Sequence, residues 1–115
     1  MTYGYIRVST EKQNTAVQRY EIQNHCQRMG LTVDAWIGET ISGAKELKKR
    51  KISGMLRRLK PGDTIVCTEI SRLGRSMKIV WRIMDICLRK GVTIISLKEN
   101  YRLSDDPMSK FILSV

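Results

Sequence analysis

The chain has 115 residues, of which 42% are hydrophobic and 28% are charged. These values are ordinary for a single globular domain and exclude an intrinsically disordered chain. The 21 Lys and Arg residues outnumber the 11 Asp and Glu residues, and the formal net charge of +10 favours a polyanionic partner, nucleic acid first and an anionic membrane second.

The cysteines and the single histidine argue against a zinc site. Cys26, Cys67 and Cys87 lie far apart, and His25 is the only imidazole, so no pair has the spacing of metal ligands. An odd number of cysteines and the lack of a signal peptide predict reduced thiols in the cytoplasm. No apolar run approaches the ~18 residues of a membrane span. We therefore expect a cytoplasmic chain with no metal, no cofactor and no membrane association.

The predicted elements alternate between strands and helices. In chain order they are a strand at 3–8, a helix at 15–29, strand 31–37, helix 52–59, strand 64–70, helix 77–89 and strand 92–97. The first strand is apolar on both faces apart from Arg7, as in a central strand of a covered sheet. The alternation predicts an α/β fold, a mostly parallel central sheet with helices on both faces.

Local signals set the expected helix ends. Thr15 and Gln18 fit a capping box, Gly30 fits the residue after the last turn, and Ser76 fits the N-cap of the third helix. The inward-facing stripe predicted for the first helix consists of Val17, Tyr20, Ile22, Cys26 and Met29.

A last helix is predicted to begin at Pro107, with Asp106 as its N-cap. Its apolar pattern continues to Val115 without a C-cap. We therefore expect residues 1–115 to be one domain, truncated at its C-terminus.

Polar side chains follow each predicted strand. Because parallel sheets bind ligands at the carboxyl ends of their strands, these side chains are expected at one edge. In chain order they are Ser9, then Glu39 and Ser42, then Arg72 and Arg75, then Tyr101 and Arg102.

Ser9 is the candidate nucleophile of this edge. His25 falls inside a helix and no glycine flanks Ser9, which disfavours histidine-assisted acyl transfer. Arg7 lies on the same face of the extended strand, and Arg72 and Arg75 follow the third strand. Guanidinium groups match phosphate oxygens, so the pattern predicts attack by Ser9 on a phosphodiester whose charge the arginines neutralise.

Each of these residues also has an ordinary interpretation. A serine after a strand commonly stabilises a turn, Gln18 fits a capping box without any further role, and arginines in a loop are often solvated. Their conjunction in a basic chain favours the functional interpretation. Two other functions stay open: a non-catalytic nucleic-acid-binding α/β module that uses the same basic edge, and a small phosphate-ester hydrolase.

Several motifs together resemble the serine recombinase family, the resolvases and DNA invertases. They are Tyr-Ile-Arg-Val-Ser-Thr at 5–10, Gln13 and Gln18, Ser42-Gly43, Gly62-Asp63, and Ser-Arg-Leu-Gly-Arg-Ser at 71–76. Their order and approximate spacing match the family across essentially the whole chain.

The resemblance implies site-specific DNA recombination. Ser9 would form a 5′-phosphoserine link to DNA and release a 3′-hydroxyl, and strands would be exchanged and religated within a tetramer built from homodimers. Arg7, Arg72 and Arg75 match the phosphate-binding arginines of the family. Gln13 and Gln18 match its supporting glutamines. A further arginine that follows the Ser-Gly block is matched to Arg50, with Lys49 as the alternative.

The chain also departs from the family pattern. Many members have Asp at the positions of Ser71 and Glu39, so the carboxylate beside the arginine pair is either missing or supplied by Glu69. The resemblance further implies that a long dimer helix and a helix-turn-helix DNA-binding domain follow the chain. It implies a cytoplasmic protein associated with the bacterial nucleoid.

Overall fold

A five-stranded sheet organises the computed structural model, which describes residues 1–8, 15–40, 51–74 and 76–104. The strands are β1 Thr2–Val8, β2 Ala35–Thr40, β3 Thr64–Cys67, β4 Thr93–Ser96 and β5 Tyr101–Leu103. The helices are α1 Ala16–Arg28, α2 Lys51–Arg58 and α3 Met77–Lys90, with a short 3-10 helix at Ile70–Arg72.

The strand order is β2-β1-β3-β4-β5. The pairings among β1 to β4 are parallel, and β5 runs antiparallel to β4. This arrangement confirms the predicted α/β fold with a mostly parallel sheet. β1 lies between β2 and β3 and is buried along its whole length, as its apolar sequence predicts.

Two apolar clusters cover opposite faces of the sheet. Side chains alternate along β1, so Tyr3 and Tyr5 join the cluster formed with α2 and α3, whereas Ile6 joins the cluster formed with α1. Ile22 and Cys26 carry α1 onto that second face. Helices therefore lie on both faces, as predicted.

The second strand begins four residues later than predicted, at Ala35 rather than Leu31. The amide of Leu31 donates to Cys26 O at 2.8 Å, so the end of α1 uses this backbone. Asp34 then accepts from Thr2 N at 2.7 Å. The strand continues past Ile37 to Thr40, which places Glu39 inside β2 and not after it.

The end of the sheet also differs from the prediction. β3 ends at Cys67 instead of Ile70, because Ile70 begins the 3-10 helix. Tyr101 and Arg102, predicted to follow the last strand as a loop, belong to β5. Asn100, with a φ of 49°, lies in the left-handed region where the chain reverses before β5.

The predicted caps are partly confirmed. Ser76 Oγ accepts from Ile79 N at 3.2 Å, and Gly30 and Gly91 have φ of 73° and 75° after their helices. The capping box at Thr15 is wrong, because its side chain makes no capping hydrogen bond. Gln18 donates its side-chain amide elsewhere, as described below.

The predicted stripe of α1 is also partly wrong. Ile22 and Cys26 are buried, but Val17 and Tyr20 are 58% and 69% exposed, and Met29 is 41% exposed. In the sheet that forms, α1 packs against β1 and β3 through three buried residues, Gln18, Ile22 and Cys26.

Within the described ranges, no helix has the length and apolarity needed to cross a membrane. The same ranges contain no group of three or more His, Cys, Asp or Glu side chains that could hold a metal ion. The predicted helix from Pro107 lies outside the described residues.

Candidate active site

The sheet opens between β1 and β3 at the carboxyl ends of the strands. The chain leaves β1 through α1 toward β2 and returns through α2 to β3, so this crevice is the topological switch point where open α/β sheets bind ligands. β1 pairs with β3 only from Thr2 to Gly4, but it pairs with β2 as far as Val8. The last residues of β1 therefore face a gap on the β3 side.

Two side chains occupy this gap. The carbonyl oxygen of Arg7 accepts from Gln18 Nε2 at 3.2 Å and from Arg72 NH1 at 3.2 Å. The amide of Gln18 and the guanidinium of Arg72 thus satisfy a backbone group that a neighbouring strand would otherwise satisfy. Three of the predicted site residues, Arg7, Gln18 and Arg72, are brought together here.

The Arg7 side chain holds the 3-10 helix against β1. It is 7% exposed, and it donates from Nε to Arg72 O and from NH2 to Ser71 O, both at 2.8 Å. Only the planar fork of an arginine can serve two adjacent carbonyls in this way. Its positive charge lies at the site as predicted, but these two nitrogens contact backbone.

The Arg72 guanidinium is fixed at both terminal nitrogens. NH1 donates to Arg7 O, and NH2 lies 3.1 Å from Glu69 Oε1. Lys98 Nζ lies 3.4 Å from the same Glu69 oxygen. Of the two alternatives for the carboxylate beside the arginines, Glu69 is therefore the one that the structure brings to Arg72.

A cavity of about 210 Å³ adjoins these groups. Val8 and Thr68 line it at the ends of β1 and β3, Gln18 and Glu21 line it from α1, and Arg72 lines it from the 3-10 helix. Among the described residues, three buried atoms of its lining have no hydrogen-bond partner: Gln18 Oε1, Thr68 Oγ1 and Arg72 Nε. Buried polar atoms are rarely left unpaired, so this cavity is suited to a polar ligand.

Glu39 lies on the other side of β1 and is 5% exposed. Its Oε1 accepts from Tyr5 Oη at 2.8 Å and from Ile52 N at 3.2 Å, and its Oε2 accepts from Lys51 N at 2.9 Å. A carboxylate at a helix N-terminus satisfies free amides and the helix dipole. Glu39 thus fixes the start of α2 to β1 and β2.

Gly74 allows the backbone that follows the 3-10 helix to pack against α3. A Cβ at this position would lie 2.7 Å from Ile79 Cγ2, closer than atoms approach without displacement. The preceding Leu73 is fully buried. Leu73 and Gly74 thus anchor the backbone directly after Arg72.

The sequence reasoning missed three polar residues of the cavity: Glu21, Thr68 and Lys98. Lys98 directly follows the strand predicted at 92–97, so the carboxyl-end rule would have found it, whereas Thr68 falls inside the strand predicted at 64–70. Glu21 has no such signal, because its position depends on how α1 crosses the sheet.

Five predicted site residues lie outside the described residues: Ser9, Gln13, Ser42, Arg50 and Arg75. Their roles stay predictions. Ser9 directly follows Val8, which lines the cavity.

Known proteins resemble the chain over its whole length. Residues 2–115 match the family model described as the resolvase N-terminal domain. A resolvase of Clostridium perfringens (strain 13 / Type A) is 35% identical over 117 residues, which cover 100% of this chain and 59% of that protein. A DNA-invertase of Enterobacteria phage P7 is 34% identical over 115 residues, which cover 100% of this chain and 58% of that protein. The chain thus spans less than two thirds of these relatives.

Solved structures share the fold. The N-terminal catalytic domain of TP901-1 integrase superimposes with a TM-score of 0.81 at 20% identity, covering 99% of this chain and 90% of that one. A resolvase family site-specific recombinase from Streptococcus pneumoniae gives a TM-score of 0.77 at 19% identity, covering 98% and 82%. With the family model matched over almost every residue, the chain belongs to the resolvase family of serine recombinases.

Proposed function

We propose that this chain is the catalytic domain of a site-specific DNA recombinase. The observation that carries the proposal is the convergence of Gln18 and Arg72 on the backbone carbonyl of Arg7, two residues before Ser9. The relatives named above, a resolvase and a DNA-invertase, support DNA as the substrate.

The proposed chemistry is transesterification at phosphorus. Ser9 Oγ bonds to the phosphorus of a DNA phosphodiester as the bond to the 3′ oxygen breaks, and the serine proton is lost as the 3′ oxygen gains one. The product is a 5′-phosphoserine link and a 3′-hydroxyl, and attack by a 3′-hydroxyl from a partner strand reverses the step. The bond energy stays in the protein–DNA link, so religation needs no other reactant.

The arginines neutralise the phosphate in this proposal. Arg72 contributes its buried Nε, which has no partner among the residues that the structure describes, whereas Arg7 contributes charge and holds the 3-10 helix. Arg75 and Arg50 complete the set, with Gln13, Gln18 and Ser42 in support. Fixed donors aimed at a charged group are the main source of such catalysis.

The proposed partners are DNA and further copies of the chain, as a homodimer that forms a tetramer during strand exchange. The net charge of +10 supports the first of these. DNA affinity should fall steeply with salt, with a log–log slope of about −0.9 for each phosphate contacted. Binding to anionic vesicles with equal affinity would favour the membrane interpretation of the charge.

Capture of the covalent intermediate tests the proposal without knowledge of the target site. Tagged protein is expressed in cells, the lysate is denatured, and DNA that remains attached to the protein is recovered and sequenced. Mass spectrometry of the digested adduct should find a nucleotide on Ser9. Ser9→Ala should give no adduct.

Ser71→Ala is the matched control, because it removes an exposed hydroxyl two residues after the Glu69 carboxylate and should leave the adduct intact. An adduct that persists in Ser9→Ala would overturn the assignment. A protein that binds DNA equally well with and without the Ser9 hydroxyl, and never forms an adduct, would be the non-catalytic binding module. Turnover of a simple phosphomonoester would instead favour the hydrolase.

A further inference from the structure

We propose that Glu69 is a positioning residue that fixes the guanidinium of Arg72 for phosphate binding. The inference rests on the proposed function and adds a residue to it. It starts from the contact between Glu69 Oε1 and Arg72 NH2, which are 3.1 Å apart.

The local backbone produces this contact. Glu69 is extended and immediately precedes the 3-10 helix that ends at Arg72. Arg72 N donates to Glu69 O at 3.1 Å, and this turn brings the two side chains together. No other carboxylate in the described part of the chain forms an ion pair with Arg72.

The contact immobilises the guanidinium plane. Arg7 O accepts from NH1 and Glu69 accepts from NH2, and these two contacts determine both the position and the rotation of the group. Nε then remains a buried donor with no partner in the described part of the chain, and Arg72 lines the cavity. A guanidinium that is already fixed can stabilise the charge that develops on the phosphate in the transition state without first being reoriented.

Glu69 is itself held in place. Lys98 Nζ contacts its Oε1 at 3.4 Å, and Lys98 N donates to Thr68 O at 2.9 Å. On the next residue, Ile70 N donates to the carboxylate of Glu99 at 3.3 Å. The connection between β4 and β5 thus supports the carboxylate that positions the arginine.

An ordinary surface ion pair is the competing explanation. Glu69 and Arg72 side chains are 24% and 28% exposed, and pairs of this kind contribute little to stability. The two explanations differ in what they predict. A positioning role changes the rate of the chemical step and leaves folding and DNA affinity nearly unchanged.

The test measures the rate of Ser9 adduct formation at saturating DNA, using the protein that carries this chain and the DNA recovered with the adduct. Glu69→Gln, which keeps the side-chain length but removes the charge, should slow adduct formation about tenfold. Glu69→Asp, which keeps the charge, should retain part of the rate. The Kd for DNA and the melting temperature should stay at wild-type values in both variants.

Asp85→Asn is the matched control, because it removes a carboxylate from another ion pair, with Arg89 at 3.1 Å, which lies on α3 and does not line the cavity. It should form the adduct at the wild-type rate. A wild-type rate in Glu69→Gln, or an equal slowing in Asp85→Asn, would overturn the role of Glu69 while the function stands. A wild-type protein that forms no Ser9 adduct would overturn both proposals.

Discussion

Arg7 and Arg72 each donate a hydrogen bond to the backbone carbonyl of the other. Arg7 Nε reaches Arg72 O at 2.8 Å, and Arg72 NH1 reaches Arg7 O at 3.2 Å. The two like charges can lie close together because each is turned toward a carbonyl dipole. This reciprocal contact joins the end of β1 to the 3-10 helix that ends at Arg72, 65 residues later in the chain.

Arg7→Lys should destabilise the fold. A lysine has a single ammonium group and cannot serve the carbonyls of Ser71 and Arg72 together. Hydrogen bonds from charged groups contribute about 1.5–3 kcal/mol, so we expect a loss of about that size in urea denaturation. Arg102→Lys, the same change at an exposed position of β5, should be neutral. Equal stability of the two variants would contradict the role given to Arg7.

Tyr5→Phe and Glu39→Gln should each destabilise the start of α2. The first removes a buried donor to the Glu39 carboxylate, at a cost of about 1 kcal/mol, and the second removes a charged helix cap, at a cost of about 1–2 kcal/mol. Because both changes affect one network, the double variant should lose less than the sum, by at least about 0.5 kcal/mol. Urea denaturation of the four proteins gives this coupling energy.

Tyr3→Phe is the control for that cycle. Tyr3 is buried on the same face of β1, but its hydroxyl makes no hydrogen bond within the part of the chain that the structure describes. Tyr3→Phe should leave the free energy of unfolding nearly unchanged. Strict additivity of the Tyr5 and Glu39 changes would show that the hydroxyl and the carboxylate act independently.

Gly4→Ala should destabilise the centre of the sheet by about 1–3 kcal/mol. The added Cβ would clash with the Trp36 ring, which lies across Gly4 from β2 under the guanidinium of Arg19. Gly38→Ala on β2 is the control, since nothing lies within 4 Å of its Cβ position. In thermal unfolding, Gly4→Ala should have a clearly lower melting temperature than Gly38→Ala. The reverse order would contradict the packing described.

Stability should fall as the pH rises above about 9. Burial raises the pKa of the Cys67 thiol to about 12, with the Glu99 carboxylate adding to the shift, and burial raises the pKa of Cys87 to about 12. The unfolded thiols ionise near their usual value of 9.0, so between about pH 9 and 12 the unfolded state loses protons that the folded state keeps. Stability is complete below this window and declines through it.

The decline should be roughly 1 kcal/mol per pH unit for each thiol. Urea denaturation at several alkaline pH values measures it. Cys67→Ala should have a lower free energy of unfolding at neutral pH, and that free energy should fall less steeply between about pH 9 and 12. Parallel slopes for the variant and the wild type would show that this thiol is not the cause.

The fold was largely predictable because its main signals are local. Strand and helix patterns alternate strongly enough to predict a parallel sheet, and the carboxyl-end rule then places Arg7 and Arg72 together. β5 was missed because three residues, Tyr101–Leu103, are too few to show an alternating pattern. The exposure of Tyr20 depends on the crossing of α1 over the sheet, which no local pattern encodes.

The hydrogen-bond partners of the site side chains were less predictable than the positions of these side chains in the fold. Arg7 contacts two carbonyls because β3 ends before β1 does, and the length of one strand relative to another is a tertiary property. Gln18 fits a capping box by spacing, yet it donates to Arg7 O because the same gap offers an unpaired carbonyl. In both cases the residue type indicated a place at the site, but the sequence did not indicate which group the side chain contacts.

Glu39 also restricts how β2 can pair while the protein folds. Its side chain lies on the face that Ala35 and Ile37 share, whereas Trp36 lies on the opposite face. A slip of β2 by one residue would turn every side chain over and bury the carboxylate in the apolar cluster under α1, without its donors. An unpaired buried charge costs roughly 3–5 kcal/mol, so the misregistered sheet is strongly disfavoured. At the edge of the sheet, where no second strand can correct an error, one acidic residue thus selects the native pairing.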